Sequence, residues 1–138
     1  MGRIVLGLLC GLVVAGISIF IVEALGHAIY PPPADIDIHN PEAWRAIMAS
    51  MPLMAFVLVL VAWLLGALAG AWVAVRMVAR PAVWPGIAIG VAILAGIGYN
   101  LVILPHPVWM LPAALVLVPL SAWLGASLGL RRSAPPPV

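Results

Sequence analysis

Four long apolar segments constrain this chain more than any other feature. They span about residues 3–28, 51–77, 84–104 and 108–130, and each supplies the ~20 residues that a helix needs to cross the hydrocarbon layer. Of the 138 residues, 66% are hydrophobic and 7% are charged, too little charge to cover a water-soluble domain. We therefore predict an all-α polytopic membrane protein, a four-transmembrane-helix bundle that forms one membrane domain over residues 1–132.

The connections are short except for an outer loop over residues 29–50. Within it, Asn40-Pro41-Glu42 is typical of a helix start, because it supplies an N-cap, a proline at the first helical position and an acid in the first turn. We predict a short helix over 41–49 that lies along the membrane interface, with Trp44 at headgroup level. The proline-rich tail over 133–138 is predicted to be disordered.

The charges separate into two groups. Arginines flank the apolar segments on one predicted face: Arg3, Arg76, Arg80, Arg131 and Arg132. Acids lie on the other face, together with Arg45: Glu23, Asp35, Asp37 and Glu42. By the positive-inside rule, this pattern predicts that the N- and C-termini are cytoplasmic and that the outer loop lies on the other side of the membrane. The lipid bilayer is the expected partner, and nucleic acid is not, since no basic cluster exceeds two residues.

The two halves of the chain resemble each other. A shift of 79 residues pairs His27 with His106, and a shift of 60 pairs Ala62-Trp63-Leu64 with Ala122-Trp123-Leu124. This pattern indicates two parallel two-helix hairpin repeats, related by a pseudo-twofold axis along the membrane normal. Chance similarity between helices rich in Gly, Ala and Leu is the alternative.

Each apolar segment also carries a Gly-x-x-x-Gly in its predicted cytoplasmic half. Such pairs let helix backbones approach closely where lipid provides no hydrophobic drive for association. We predict a bundle that is tightest at the inner leaflet, although these faces could instead form a homodimer. The helix-packing glycines are Gly7, Gly11, Gly66, Gly70, Gly86, Gly90, Gly125 and Gly129.

Polar side chains that carry chemistry concentrate near the outer ends of the segments. Glu23 and His27 are four residues apart and share one helix face, and the repeat brings His106 to the same depth. Asn100 and Tyr99 lie about two helical turns below His106. Ionisable groups near hydrocarbon usually face a bundle interior or a watery cavity. The sequence therefore predicts an outer-face site built from these five residues.

Several roles suit such a site. Glu23, His27 and His106 could bind zinc or a similar metal, the histidines could be axial ligands of a haem, or Glu23 could serve a proton-coupled transporter or channel. The plainest alternative is a Glu23 that accepts a hydrogen bond at the membrane boundary, with the histidines at headgroup level. The interpretation that we favour involves no cofactor.

The sequence gives no good match to the motifs of soluble enzymes. Its one Gly-x-Ser-x-Gly, over residues 125–129, lies inside an apolar segment and not at the strand-to-helix turn of a nucleophile elbow, and there is no phosphate-binding Gly-x-x-x-x-Gly-Lys. We favour a non-enzymatic inner-membrane protein, either a homo-oligomer or an accessory subunit of a membrane complex, with a small ligand or metal site on its outer face. The alternatives are a small secondary transporter or channel that uses Glu23, and a metal- or haem-dependent membrane enzyme.

Two resemblances accompany these residues. The segment Val22-Glu23-Ala24-Leu25-Gly26-His27, followed by the Gly-rich stretch over 62–70, resembles uncharacterised small four-helix bacterial membrane proteins. That likeness covers the first two apolar segments and implies a membrane bundle without a known activity. Four helices with a glutamate in the first also resemble the small multidrug resistance transporters, whose glutamate lies mid-membrane, whereas Glu23 lies near the rim.

Overall fold

The computed structural model describes residues 2–31, 40–78 and 82–131. Its helices follow one another as α1 (Gly2–Ile29), α2 (Pro41–Ser50), α3 (Leu53–Met77), α4 (Trp84–Ile103) and α5 (Met110–Arg131). All except α2 are long and apolar enough to cross a membrane. The chain is thus an all-α multipass membrane protein. The tail over 133–138, Asp35, Asp37, Arg80 and Arg132 lie outside the described residues.

Two helices begin two residues later than the sequence predicts, and prolines account for both shifts. Pro52 is the N-cap of α3 in an extended conformation (φ −67°, ψ 150°), so the helix starts at Leu53. Before α5, the backbone N–H of Met110 donates to the Pro107 carbonyl at 2.9 Å and closes a turn. A proline disfavours helix in the residue before it, so Pro52 excludes Met51 from α3, and the turn that begins at Pro107 takes up Val108 and Trp109 before α5.

The central element of the bundle is α3, which packs against α1, α4 and α5. It runs antiparallel to α1 and parallel to α5, and the Ser121 hydroxyl of α5 donates to the Leu64 carbonyl of α3 at 2.7 Å. In contrast, only 17% of the most apolar stretch of α1 is buried, against 39% in α3. The first helix is therefore peripheral and presents most of its surface to lipid.

Glycine permits the closest contact between α1 and α3. A Cβ atom placed on Gly70 would lie 2.6 Å from the Gly11 carbonyl oxygen, and one placed on Gly11 would lie 2.8 Å from the Gly70 carbonyl oxygen. Each of the other glycines in the Gly-x-x-x-Gly pairs is also buried against a neighbouring helix: Gly7, Gly66, Gly86, Gly90, Gly125 and Gly129. Most of these contacts lie in the half of the bundle that ends at Arg3, Arg76 and Arg131.

The helix contacts do not reproduce the symmetry of a duplicated hairpin. A twofold axis that relates the α1–α3 hairpin to the α4–α5 hairpin would pair α1 with α5 wherever it pairs α4 with α3. Within the described part of the chain, α4 contacts α3 but α1 makes no contact with α5. No internal repeat is visible in this packing, and the duplication stays a prediction from the sequence.

The short helix α2 has the amphipathic character that the sequence predicts. The Asn40 side-chain oxygen accepts a hydrogen bond from the Glu42 backbone N–H at 2.9 Å, which caps the helix. Ile47 is buried and Met48 packs against the hydrophobic core, whereas Arg45 is exposed. As a result, α2 lies with its apolar face against the end of the bundle opposite the arginine-rich end.

Candidate functional site

A cavity of about 180 Å³ opens at the end of the bundle that carries α2. Glu23 and His27 from α1, Asn100 from α4, and His106 from the turn after α4 all line it. Four of the five predicted site residues therefore share one cavity. Tyr99 lies outside it and is 72% exposed, since adjacent residues of an α-helix project about 100° apart.

The Glu23 carboxylate forms its hydrogen bond with the side chain of Trp63 on α3. The indole N–H can only donate, so the carboxylate is the acceptor. Trp63 is 4% exposed, and this bond satisfies the polar group of a tryptophan that is otherwise packed in the core. His27 and His106 are close enough to Glu23 to interact with it electrostatically.

Trp63 was not among the predicted site residues, although the sequence contains a signal for it. A tryptophan in the middle of an apolar segment brings an N–H that needs an acceptor when it is buried. Glu23 is the one carboxylate within the four apolar segments. That combination would have predicted the pair.

The two histidines have different environments. The His106 ring lies edge-on to Phe56, with centroids 6.3 Å apart and an interplanar angle of 66°, and 6.1 Å from the Trp63 ring. Its Nδ1 is 2.9 Å from the Leu104 carbonyl oxygen, which fixes the ring on a second side. His27 is exposed and lies at the mouth of the cavity. The His106 ring is therefore the fixed one of the two.

Apolar side chains complete the cavity. Met48 at the end of α2, Met51 just after it and Phe56 on α3 line the wall opposite α1. The sequence predicts the place of α2 at the interface but gives no sign that α2 helps to enclose the site. This wall is known only from the structure, in which α2 lies against the end of the bundle.

A more open groove of about 440 Å³, here called the outer groove, lies next to the cavity. Arg45, Leu53 and the two prolines that flank His106 line it. The outer groove and the cavity share Met48, Met51, Phe56 and His106. Arg45 lines the groove and not the cavity.

The described residues contain no ready-made three-ligand metal centre. Within 2–31, 40–78 and 82–131, no three His, Cys, Asp or Glu side chains form a group that could hold a metal ion. Zinc requires donor atoms ~2 Å from a shared point, and Glu23, His27 and His106 share a cavity without that convergence. The cavity volume of about 180 Å³ is also below the about 300–1,000 Å³ of clefts that hold drug-sized ligands.

A scan against protein-family models, a search of curated proteins and a search of solved structures each returned no match to this chain. The resemblance to uncharacterised small bacterial membrane proteins therefore identifies no family. Any functional statement beyond a multipass membrane protein has to come from the cavity itself.

Proposed function

We propose that this chain is a non-enzymatic multipass membrane protein that binds a small ligand in the cavity beside Glu23. One observation carries the proposal: polar side chains from two spanning helices and a turn line a single concave space, whose other described lining residues are apolar apart from Tyr30. A few convergent polar groups in an apolar pocket are typical of a small-molecule site. A carboxylate near hydrocarbon is costly, and a ligand that interacts with it would offset that cost.

Binding is better supported than transport by Glu23, which is the second candidate. The cavity occupies one end of the bundle, and at the other end the backbones of α1 and α3 touch at Gly11 and Gly70. Passage of a solute between these two helices would require them to separate at this close backbone contact. Binding at the open end requires no such separation.

The experiment measures thermal unfolding of the purified protein in neutral detergent with four small probes. Butylammonium, butyltrimethylammonium, butyrate and butanol present a cation with N–H donors, a cation without them, an anion and a neutral group. We expect at least one probe to stabilise the protein, by about 1.4 kcal/mol at ten times its dissociation constant.

A cavity-filling variant and a matched control make this test specific. Ala55 lines the cavity, so Ala55→Phe should remove the stabilisation. Ala92 is exposed on α4, and Ala92→Phe should retain it. The proposal fails if no probe stabilises the protein, or if Ala55→Phe responds as the wild type does.

We also propose that the arginine-rich end faces the cytoplasm and that the cavity opens on the outer face of a bacterial inner membrane. The support is the positive-inside rule applied to Arg3, Arg76 and Arg131. Association into a homo-oligomer or with a larger membrane complex is a further proposal, prompted by the large lipid-facing surface of α1. Co-purification in mild detergent tests it, and a protein that stays monomeric and alone would count against it.

A further inference from the structure

The charge of the cavity is unbalanced. Among the described residues that line it, Glu23 is the one carboxylate and none is an arginine; the sequence contains no lysine at all. The nearest candidate cation, Arg45, lies in the outer groove instead. Within the part of the chain that the structure describes, the cavity therefore has a carboxylate and no permanent cation beside it.

The hydrogen bond of His106 sets the polarity of its free nitrogen. A carbonyl oxygen can only accept, so the 2.9 Å contact between Nδ1 and the Leu104 carbonyl places the ring proton on Nδ1. In a neutral imidazole with Nδ1 protonated, Nε2 is an acceptor. Glu23 and His106 thus both present acceptors to a molecule in the cavity.

The remaining wall suits a short hydrocarbon stem. Met48, Met51 and Phe56 supply two thioethers and an aromatic ring. Methionine adapts its shape to apolar partners, and a ring face attracts a nearby cation electrostatically. A volume of about 180 Å³ limits the ligand to a few heavy atoms beyond its polar group.

On the basis of the proposed ligand-binding function, we infer that the cavity binds a primary ammonium group on a short apolar stem. The ammonium donates hydrogen bonds to the Glu23 carboxylate and to Nε2 of His106, and the stem packs against Met48, Met51 and Phe56. An anion would be repelled by Glu23. A quaternary ammonium would satisfy the charge but would leave both acceptors without a donor.

Isothermal titration of the same four probes into the wild-type protein at pH 7 tests this ligand class. We expect butylammonium to bind at least 10-fold more tightly than butyltrimethylammonium, and butyrate and butanol to bind more weakly than either cation. Equal or tighter binding of butyltrimethylammonium, butyrate or butanol would overturn the inference and leave the proposed ligand-binding function intact. If none of the four probes binds, the proposed function fails as well.

Two substitutions assign the acceptors. Glu23→Gln should weaken butylammonium binding at least 10-fold, whereas Glu42→Gln, which removes an exposed carboxylate outside the cavity, should leave it unchanged. His106→Asn retains a side-chain N–H for the Leu104 carbonyl but removes the Nε2 acceptor. It should weaken butylammonium binding severalfold without changing butyltrimethylammonium binding.

The selectivity between the two cations in the wild type needs no variant. The inference therefore remains falsifiable even if Glu23→Gln does not fold. An equal loss of affinity for both cations in His106→Asn would show that His106 has only a structural role, and would contradict its assignment as an acceptor.

Discussion

A single methyl group is enough to disturb the contact between α1 and α3. In Gly70→Ala the new Cβ would lie 2.6 Å from the Gly11 carbonyl oxygen and 2.8 Å from the Ala15 Cβ. Backbone atoms cannot rotate away, so the two helices must move apart. We expect the free energy of unfolding to fall by about 1–3 kcal/mol, as for other overpacked contacts, measured by reversible unfolding in mixed micelles.

Gly16 provides the control on the same helix pair. A Cβ atom placed on Gly16 would have no atom of a neighbouring helix within 4 Å, and alanine is the better helix former by about 1 kcal/mol. Gly16→Ala should therefore be neutral or stabilising. A similar loss of stability in both variants would mean that the close contact is not the cause.

The hydroxyl of Ser121 makes a second residue-scale test possible. Its bond to the Leu64 carbonyl joins α5 to α3 at 2.7 Å, and interhelical hydrogen bonds in membranes are worth about 0.6 kcal/mol on average and at most about 1.7. Ser121→Ala should lower the free energy of unfolding by that amount. Ser18 bonds within its own helix, to the Val14 carbonyl, so Ser18→Ala should have less effect.

Part of the candidate site could be predicted from the sequence. Whether a site residue could be predicted depends on whether its side chain is polar or apolar. Glu23 and Asn100 are visible in the sequence because a polar side chain stands out in an apolar segment. Met48, Met51 and Phe56 are apolar residues in apolar surroundings, and nothing local separates a cavity wall from a lipid-facing surface. Their role follows from a fold that brings together residues far apart in the chain.

Among the elements, α2 has the least support from packing and depends most on its cap. Asn40→Ala removes the acceptor for the Glu42 N–H, and the loss of such a cap costs about 0.5–2 kcal/mol. Because α2 has only ten residues, we expect its amides to exchange severalfold faster with deuterium in micelles. Amides in the middle of α3 should be unaffected.

Asn40→Asp keeps a capping oxygen and should retain the protection of α2. If Asn40→Ala leaves the exchange of α2 unchanged, the helix is held by Ile47 and Met48 alone. Since Met48 lines the cavity, the same variant should also weaken butylammonium binding if the wall loosens with the cap.

For the whole molecule, orientation is the first property to test. Arg3, Arg76 and Arg131 lie at one end of the bundle, and the positive-inside rule places that end in the cytoplasm. In a Cys10→Ser background, Ser50→Cys should react with a membrane-impermeant maleimide added to intact cells, and Gly2→Cys should react only after lysis. The reverse pattern would invert the proposed topology.

The sequence predicts where the helices lie along the chain far better than it predicts which helices pack against each other. Runs of about 20 apolar residues identify spanning helices because only helices and closed barrels satisfy the backbone in lipid. No comparable sequence pattern identifies α3 as the central helix, since core-facing and lipid-facing side chains are equally apolar. The expected twofold symmetry between hairpins is a prediction about helix packing and not about helix location.

The close glycine contact and the cavity lie far apart along α1. A small tilt of α1 at the contact therefore produces a larger displacement of the residues that line the cavity. The contact is at Gly11, and Glu23 lies 12 residues further along α1, about 18 Å at the rise of an α-helix. A tilt of α1 by about 3° at Gly11 would displace the Glu23 carboxylate by about 1 Å over that length, which is enough to break a hydrogen bond. We therefore expect substitutions at the contact between Gly11 and Gly70 to alter the proposed ligand binding, although neither residue lines the cavity.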